Sequence, residues 1–272
     1  MAPATTSAAL ARRNARKLRV LCLHGMYQNG DVFATKTEHL RRGHDDLVDF
    51  IYVDAPFTVV PRILTQRQPR QPKKEQSPQP TGDHPEKQHR VRCTKKHDEF
   101  RAWWRPPSGS HHVSNTQLDD DRKVLMAFLH ETLAEVGDVD GVMGFSQGAT
   151  LASWMCSAQA RVELQWSPRL AILIGSYLGP TQYDLTSGIL DDVTSLHMFG
   201  SNDHVISAAK SQKVVDLFKS GQVHDQQVLT SIHNQGHVIP KSDEVLSLFQ
   251  TFLHQQHHTL AASPSTHAES SW

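Results

Sequence analysis

Short apolar runs alternate with longer stretches of helical periodicity along this 272-residue chain. The runs contain few polar residues, which is typical of strands that are buried on both faces of a sheet. They predict six strands. Five are at residues 18–23, 47–53, 170–174, 194–199 and 227–232. The other, third in chain order, begins at 139 and runs into a Gly-x-Ser-x-Gly motif that begins at 144.

Apolar residues spaced three and four apart predict the helices between these strands. The first is expected from an Asp31 N-cap to about Arg42, with Phe33, Thr37 and Leu40 on its buried face. The others are predicted from 115 or 116 to about 136, 147 to about 158, 207 to 218, and from a cap at 242 to about 254. Alternating strands and helices predict a single α/β domain, with a mostly parallel sheet of about six strands and helices on both faces.

Composition separates this domain from three polar segments. The domain is expected at residues 18–258, between a disordered arm at 1–17 and a loose tail at 259–272. Residues 62–98 contain ten Lys/Arg, four Asp/Glu and five Pro, with few apolar residues. Such a segment buries too little apolar surface to offset its conformational entropy, so we interpret it as a disordered basic insertion. A docking site for an acidic partner is the alternative interpretation.

Charge and cysteine content argue against several classes of protein. Lys/Arg and Asp/Glu both number 28, so no net field favours nucleic acid or a membrane surface. The three cysteines form no zinc or disulfide pattern, which favours a reducing compartment, the cytoplasm or nucleus. No apolar run approaches the ~20 residues that span a bilayer. The first nineteen residues hold five Lys/Arg and no acid, which fits a solvated arm or a mitochondrial presequence.

The most informative motif is Gly144-Phe145-Ser146-Gln147-Gly148, between the third predicted strand and the helix that follows it. A serine at such a strand-to-helix turn projects above the edge of the sheet, where it can act as a nucleophile. Gly144 and Gly148 are expected because side chains there would collide with neighbouring backbone. A plain serine in a glycine turn is the alternative, but the flanking strand and helix favour the nucleophile.

A serine nucleophile needs a base, and the base needs an acid that orients it. In folds with this turn they follow in the order Ser, Asp/Glu, His, at the carboxyl edge of the sheet. Asp203 follows the fifth strand and is the candidate acid, although a cap for the helix starting at 207 is its structural alternative. Asp191 and Asp192 precede that strand, so we expect them at the wrong end of the sheet.

Two histidines follow the last predicted strand. His237 lies in a tight turn after Gly236 and is the candidate base, whereas His233 is still at the strand end. His204 is interpreted as a loop histidine, because it is adjacent to Asp203 and precedes no helix-terminated strand.

Acyl transfer also needs two preorganised N–H donors for the oxyanion. The backbone N–H of Gln147 is one candidate, because it points towards a group that approaches the serine. The backbone N–H of Met26, in the loop after the first strand, is the other. We expect His24 to shape this loop rather than to transfer protons.

Two further groups of residues have functional potential. His254, His257 and His258 have helical spacing but no accompanying carboxylate, so we predict a solvated face and no metal site. Trp103 and Trp104 cannot both face the core from a regular element; one is expected to line a pocket wall, and local packing of both is the alternative.

Together these motifs resemble the FSH group, a family of serine hydrolases with the α/β-hydrolase fold. The resemblance lies in residues 21–25, 29–30, 36–37, 54–56, 103–104, 144–149, 197–200, 203 and 236–240. It implies that Ser146, Asp203 and His237 form a catalytic triad and that carboxylic esters are hydrolysed in the cytosol without a cofactor. The chain departs from the family's usual Gly-Gly-His at Gln235, and its insertion lies where a lid over the acyl pocket is expected.

We therefore predict a serine hydrolase that cleaves small-molecule acyl esters through an acyl-enzyme, with no nucleic-acid partner and no stable membrane insertion. Thioesterase, lysophospholipase and acyltransferase activities on the same triad are alternatives. A non-catalytic protein that holds a ligand in the same pocket is an alternative of another class. The intact order of Ser, Asp and His favours catalysis over binding alone.

Overall fold

A computed structural model describes residues 16–60, 99–106, 115–221 and 227–262. The described strands are β1 (Leu18–Leu23), β2 (Val48–Val53), β3 (Phe57–Thr58), β4 (Arg101–Ala102), β5 (Gly141–Phe145), β6 (Leu170–Ile174), β7 (Thr194–Gly200) and β8 (Val228–His233). Six of them form one sheet in the order β2-β1-β5-β6-β7-β8, and all neighbours in it are parallel. The predicted parallel α/β architecture is confirmed.

Helices cover both faces of this sheet. They are α1 (Gly30–Lys36), α2 (Glu38–Arg41), α3 (Asn115–Val136), α4 (Gln147–Met155), α5 (Ala158–Leu164), α6 (Ala208–Gly221) and α7 (Asp243–Ala262). Residues of α1, α2 and α7, such as Phe33 and Phe249, pack in one apolar cluster. Residues of α3 to α6, such as Leu125 and Trp154, pack in the other. Two separate clusters follow because successive strand side chains point to opposite faces.

The first helix differs from its prediction at its start and in its continuity. Asn29, not Asp31, is the N-cap: its backbone is extended and its side chain accepts a hydrogen bond from the Val32 N–H at 2.9 Å. The predicted single helix is interrupted at Thr37, whose hydroxyl donates to the Phe33 carbonyl at 2.8 Å. The predicted burial of Phe33 and Thr37 is confirmed.

Two later helices also differ from their predicted lengths. The helix predicted from 147 to about 158 is two helices, because Ser157 caps α5 by accepting from the Ala160 N–H at 3.1 Å. The last helix continues to Ala262, beyond its predicted end and into the tail predicted at 259–272. It continues because its apolar face does: Leu260 still packs against the cluster under α7.

The sequence gives no sign of the antiparallel ribbon that β3 and β4 form. Phe57 lies opposite Ala102, and the Val59 N–H donates to the Phe100 carbonyl at 2.8 Å. The predicted insertion at 62–98 lies outside the described residues. The ribbon holds the chain segments before and after the insertion side by side.

The predicted arm and tail lie mostly outside the described residues, as 1–15 and 263–272. Arg16, which the prediction assigns to the arm, forms a two-point ion pair with Asp140, with both N–O distances at 2.7 Å. Within the described ranges, none of the helices has the length and apolar character needed to cross a bilayer.

Both tryptophans after β4 are buried, so local packing is the correct alternative for them. They lie outside regular secondary structure, and adjacent side chains can therefore enter the same core. Trp103 Nε1 donates to the His24 carbonyl at 2.7 Å, and the Trp104 ring stacks on Tyr183 with centroids 5.0 Å apart.

Candidate active site

The Gly-x-Ser-x-Gly motif forms a sharp turn between β5 and α4. Ser146 has φ 54° and ψ −116°, a region that residues other than glycine rarely occupy. A Cβ on Gly144 would collide with the Gly148 backbone, and one on Gly148 would collide with the Leu23 carbonyl. The predicted need for both glycines is confirmed.

The hydroxyl of Ser146 is left uncommitted at the carboxyl edge of the sheet. The Ser146 N–H donates to the Ile174 carbonyl on β6 at 2.8 Å, and its carbonyl accepts from the Thr150 N–H at 3.0 Å. Ser146 lies at the N-cap position of α4, but its side chain does not cap the helix. The backbone therefore holds this partly exposed residue, while its hydroxyl makes no hydrogen bond within the described residues.

Asp203 and His237 form a hydrogen-bonded pair on the loops after β7 and β8. Asp203 Oδ2 lies 2.6 Å from His237 Nδ1. The other carboxylate oxygen, Oδ1, accepts from the backbone N–H groups of Val205 and Ile206, each at 2.8 Å. Asp203 therefore bonds both its own loop, ahead of α6, and the imidazole, and its role as the acid of a triad stays a prediction. A carboxylate accepts, so Nδ1 carries the proton and Nε2 is left as a basic nitrogen.

The His237 ring packs against the neighbours of Ser146. Its centroid lies 4.9 Å from that of Phe145, the residue before the serine. A Cβ on Gly175, the residue after Ile174, would lie 3.3 Å from His237 Cε1. No hydrogen bond joins Ser146 Oγ and His237 Nε2, both of which are described. Such contacts are commonly long in free enzymes and shorten when substrate binds.

The other residues considered for base and acid lie elsewhere. His233 is buried, its Nδ1 accepts from the Gln235 N–H at 3.3 Å, and burial lowers its pKa. His204 is exposed. Asp192 is exposed at the amino end of β7, where it pairs with Arg161. Only His237 among these histidines is hydrogen-bonded to Asp203.

The loop after β1 lies against the serine turn. A Cβ on Gly25 would lie 2.8 Å from Phe145 Cδ1, and the Gly25 N–H donates to Gln28 Oε1 at 3.2 Å. The N–H groups of Met26 and Gln147 make no hydrogen bond within the described part of the chain, which leaves both donors open. Their role as an oxyanion hole stays a prediction.

His24 is a fixed structural residue of this loop. Its Nε2 accepts from the Ala55 N–H at 3.0 Å, so the proton is on Nδ1, which lies 2.8 Å from the Gly25 carbonyl. Burial lowers the pKa of His24 to about 4. The ring is therefore neutral at physiological pH, and both of its nitrogens are engaged within the protein.

Sequence reasoning missed the side chain of Gln147 and the glycine after β6. Gln147 is buried, and its amide pairs with the backbone of Trp103 and Trp104. Gly175 has φ 61° and contacts the His237 ring. The position of Gly175 directly after a buried strand could have indicated its role. Nothing in the neighbouring sequence indicates the partners of Gln147.

The three helical histidines lie in the second half of α7, and His257, which was predicted on a solvated face, is only partly exposed. His254 and His258 are exposed, and the described residues contain no group of three or more His, Cys, Asp or Glu that could hold a metal ion.

Comparison with known proteins gives the family and the fold. Residues 13–248 match the family described as serine hydrolase (FSH1). Esterase OVCA2 of Danio rerio is 27% identical over 246 residues, which cover 87% of this chain and 96% of that protein. The structure of Zea mays acyl-protein thioesterase 2 has a TM-score of 0.54 at 16% identity, covering 89% of this chain and 96% of its own. The Bacillus cereus carboxylesterase has a TM-score of 0.53 at 14% identity, covering 89% and 90%. The predicted α/β-hydrolase fold is confirmed.

Proposed function

Because this chain belongs to the serine hydrolase (FSH1) family, it is an ester-hydrolysing enzyme, and we propose that Ser146, His237 and Asp203 are its catalytic triad. The observation that carries the proposal is the 2.6 Å hydrogen bond between Asp203 and His237 at the sheet edge where Ser146 stands on its strained turn. These side chains come from loops after three different strands, β5, β7 and β8. A structural role alone would not require this convergence.

In the acylation step, Ser146 Oγ attacks the carbonyl carbon of the ester while His237 Nε2 takes the hydroxyl proton. The imidazolium that forms is stabilised by the buried Asp203 carboxylate. The N–H groups of Gln147 and Met26 bind the oxyanion of the tetrahedral intermediate. When this intermediate collapses, the bond to the alcohol oxygen breaks, His237 returns the proton to that oxygen, and the acyl group stays on Ser146.

In the deacylation step, water replaces the alcohol. His237 Nε2 takes a proton from the water as its oxygen attacks the acyl carbon. Collapse of the second intermediate breaks the bond to Ser146 Oγ, which regains its proton from His237. A carboxylic acid leaves, and the free enzyme is restored.

Exposed aliphatic side chains that are close in the chain to the site residues support an ester with an apolar group. Val205, Val238 and Leu178 are 64%, 44% and 45% exposed. Val205 and Val238 follow Asp203 and His237 closely in the chain, and Leu178 is in the loop that begins at Gly175. Covering exposed apolar surface is favourable by about 25 cal/mol per Å², so an apolar substrate group would be retained here.

A panel of esters with graded chain lengths tests this proposal. Wild type should hydrolyse them, with kcat/KM rising as the apolar group grows, and Ser146→Ala should lose nearly all turnover. Val205→Asn should raise KM for the longer esters. Val162→Asn is the matched control, because Val162 is 68% exposed on α5, away from the site. Full activity of Ser146→Ala would refute the triad, and equal effects of the two valine changes would refute the apolar contact.

Matched pairs of esters and thioesters in the same panel decide which bond is preferred. A preference for thioesters, or for lysophospholipids, would change the substrate assignment and leave the triad in place. Transfer to an added alcohol in place of water would indicate an acyltransferase. Wild type that turns over none of these compounds would favour the non-catalytic binding protein.

A cytoplasmic location is part of the proposal. Cys22 and Cys156 are both free and buried, which fits a reducing compartment. Fractionation of cells that express the chain with a C-terminal tag tests this. Recovery in mitochondria with a shortened N-terminus would show instead that the first nineteen residues act as a presequence.

A further inference from the structure

The side chain of Gln147 ties the serine turn to a distant segment of the chain. Its Oε1 accepts from the Trp103 N–H at 2.9 Å, and its Nε2 donates to the Trp104 carbonyl at 2.9 Å. The side chain is 1% exposed, and both of its polar ends are satisfied. The side-chain amide thus makes two hydrogen bonds to the backbone of residues 103 and 104, as a neighbouring strand would. The backbone N–H of the same residue is one of the two candidate oxyanion donors.

The same segment also pairs with the loop that carries the other donor. The Tyr27 N–H donates to the Arg101 carbonyl at 2.9 Å, and the Arg101 N–H donates to the Gln28 carbonyl at 2.9 Å. These two bonds form an antiparallel bridge directly after Met26. Residues 101–104 therefore reach from the Met26 loop to Gln147.

A third link closes the connection. Trp103 Nε1 donates to the His24 carbonyl at 2.7 Å, two residues before Met26. Gly148, directly after Gln147, packs so closely on that carbonyl that a Cβ there would collide with it. The start of α4, the β1 loop and Trp103 are thus held against one another, and all three contacts are buried.

We propose that the Gln147 side chain is a positioning residue: by fastening residues 101–104 to the serine turn, it sets the separation of the Gln147 and Met26 N–H groups. This inference rests on the proposed function. Donors must lie 2.7–3.1 Å from the oxyanion, and a misplacement of ~1 Å can cost on the order of 100-fold in rate. Gln147 thereby contributes through its side chain to transition-state binding without touching the substrate.

Gln147→Met tests the proposal, since methionine has a similar length but forms neither hydrogen bond. The variant should lose about 10- to 100-fold in kcat with KM changed less than about twofold, because the lost interaction acts mainly in the transition state. Ser153→Ala is the matched control: Ser153 is buried in the same helix and its hydroxyl bonds the Ala149 carbonyl at 2.8 Å, away from the site. It should leave kcat unchanged.

Inhibition by a trifluoromethyl ketone distinguishes a positioning role from a merely structural one, because a merely structural role would leave the inhibition constant unchanged. The adduct of this ketone with Ser146 places an anionic oxygen where the oxyanion forms, so its inhibition constant should rise by the same factor as kcat falls. An unchanged inhibition constant, or unchanged kcat in a folded Gln147→Met protein, would overturn the proposal.

Trp103→Phe gives a second test, because it removes the Nε1–H donor to the His24 carbonyl while the backbone bonds to Gln147 can stay in place. It should also lower kcat at nearly constant KM. The loss of kcat in the double variant should be smaller than the product of the losses in the two single variants, since both changes loosen the same contact between residues 101–104 and the serine turn. Multiplicative losses, or a Trp103→Phe variant with normal kcat, would contradict it. Trp103→Phe also carries the test if Gln147→Met fails to fold.

Ser146→Ala separates failure of this inference from failure of the proposed function. If Ser146→Ala retains activity, the triad is wrong whatever Gln147 does. If Ser146→Ala is inactive while Gln147→Met and Trp103→Phe keep wild-type kcat and inhibition, the triad stands and only the positioning role falls.

Discussion

Asp203 bonds its own loop and the candidate base at the same time. One carboxylate oxygen accepts two backbone N–H groups, and the other meets His237 Nδ1. The backbone bonds fix the carboxylate in a buried position, so the imidazole meets an acceptor with little freedom to move. The loop contacts and the proposed catalytic role are therefore compatible in one side chain.

Asp203→Asn should keep this loop but fix the wrong tautomer of His237. An amide that donates to Nδ1 would leave the proton on Nε2, which could then no longer accept one from Ser146. We expect kcat to fall by ~10⁴-fold, as in the serine protease triad. Steady-state kinetics on the best ester measures this. Asp192→Asn removes a carboxylate at the opposite end of β7 and should have no effect; a comparable loss there would point to general electrostatics.

Gly175→Ala tests the contact between the β6 loop and His237. Alanine at φ 61° is strained, and its Cβ would lie 3.3 Å from the ring, so the imidazole must shift. Gly188→Ala is the matched control, with φ 83° but no atom within 4 Å of the added Cβ. Both variants should lose about 1–2 kcal/mol of stability in urea unfolding, but only Gly175→Ala should lose activity. Equal activities would show that the contact does not position His237.

At the scale of the element, hydrophobic patterns predicted the bounds of those strands that are single uninterrupted apolar runs. The bounds of β1 and β6 agree with their predictions because each is an uninterrupted buried run. The break at Thr37 and the cap at Ser157 are not predicted, since helix propensity there does not decide between continuing and restarting. The β3–β4 ribbon has two residues in each strand and leaves no detectable period.

Buried histidines in the strands predict how stability depends on pH. Burial in β7 lowers the pKa of His197 to about 3, against ~6.5 in the unfolded chain. Between these values the unfolded state binds the extra proton, so the free energy of unfolding falls as pH falls below ~6.5. Removing this group with His197→Gln should make the decline shallower by about 1 kcal/mol per pH unit.

Urea unfolding at several pH values between 4 and 7 measures this slope. His204→Gln is the control, because His204 is exposed and should not change it. An identical slope in wild type and His197→Gln would show that other groups cause the acid sensitivity.

For the whole molecule, the order of strands brings distant residues to one edge of the sheet. The order Ser, Asp, His selects Ser146, Asp203 and His237 as candidates from the sequence, because parallel strands end at the same edge. Of these, Asp203 and His237 are joined by a hydrogen bond. The partners of Gln147 could not be selected in this way. They lie 43 and 44 residues earlier in the chain, shortly after the insertion, and no local rule relates them to Gln147.

The ribbon at the flanks of the insertion gives a prediction for the whole chain. Because Val59 bonds Phe100, the segment between them begins and ends at neighbouring points. Replacing residues 65–95 by a six-residue Gly/Ser linker should leave kcat/KM within about threefold. It should also raise stability by about 1 kcal/mol, since a shorter loop costs less entropy to close. A loss of most activity, or of a bound acidic partner, would show that the insertion has a function of its own.

The reactivity of Ser146 tests the central claim most directly. A fluorophosphonate should form one covalent adduct per chain, and mass spectrometry should locate it on Ser146. Ser146→Ala should form none, and His237→Ala should react at least ~1,000-fold more slowly because no base takes the proton. An adduct on another residue, or undiminished labelling without His237, would contradict the proposed triad.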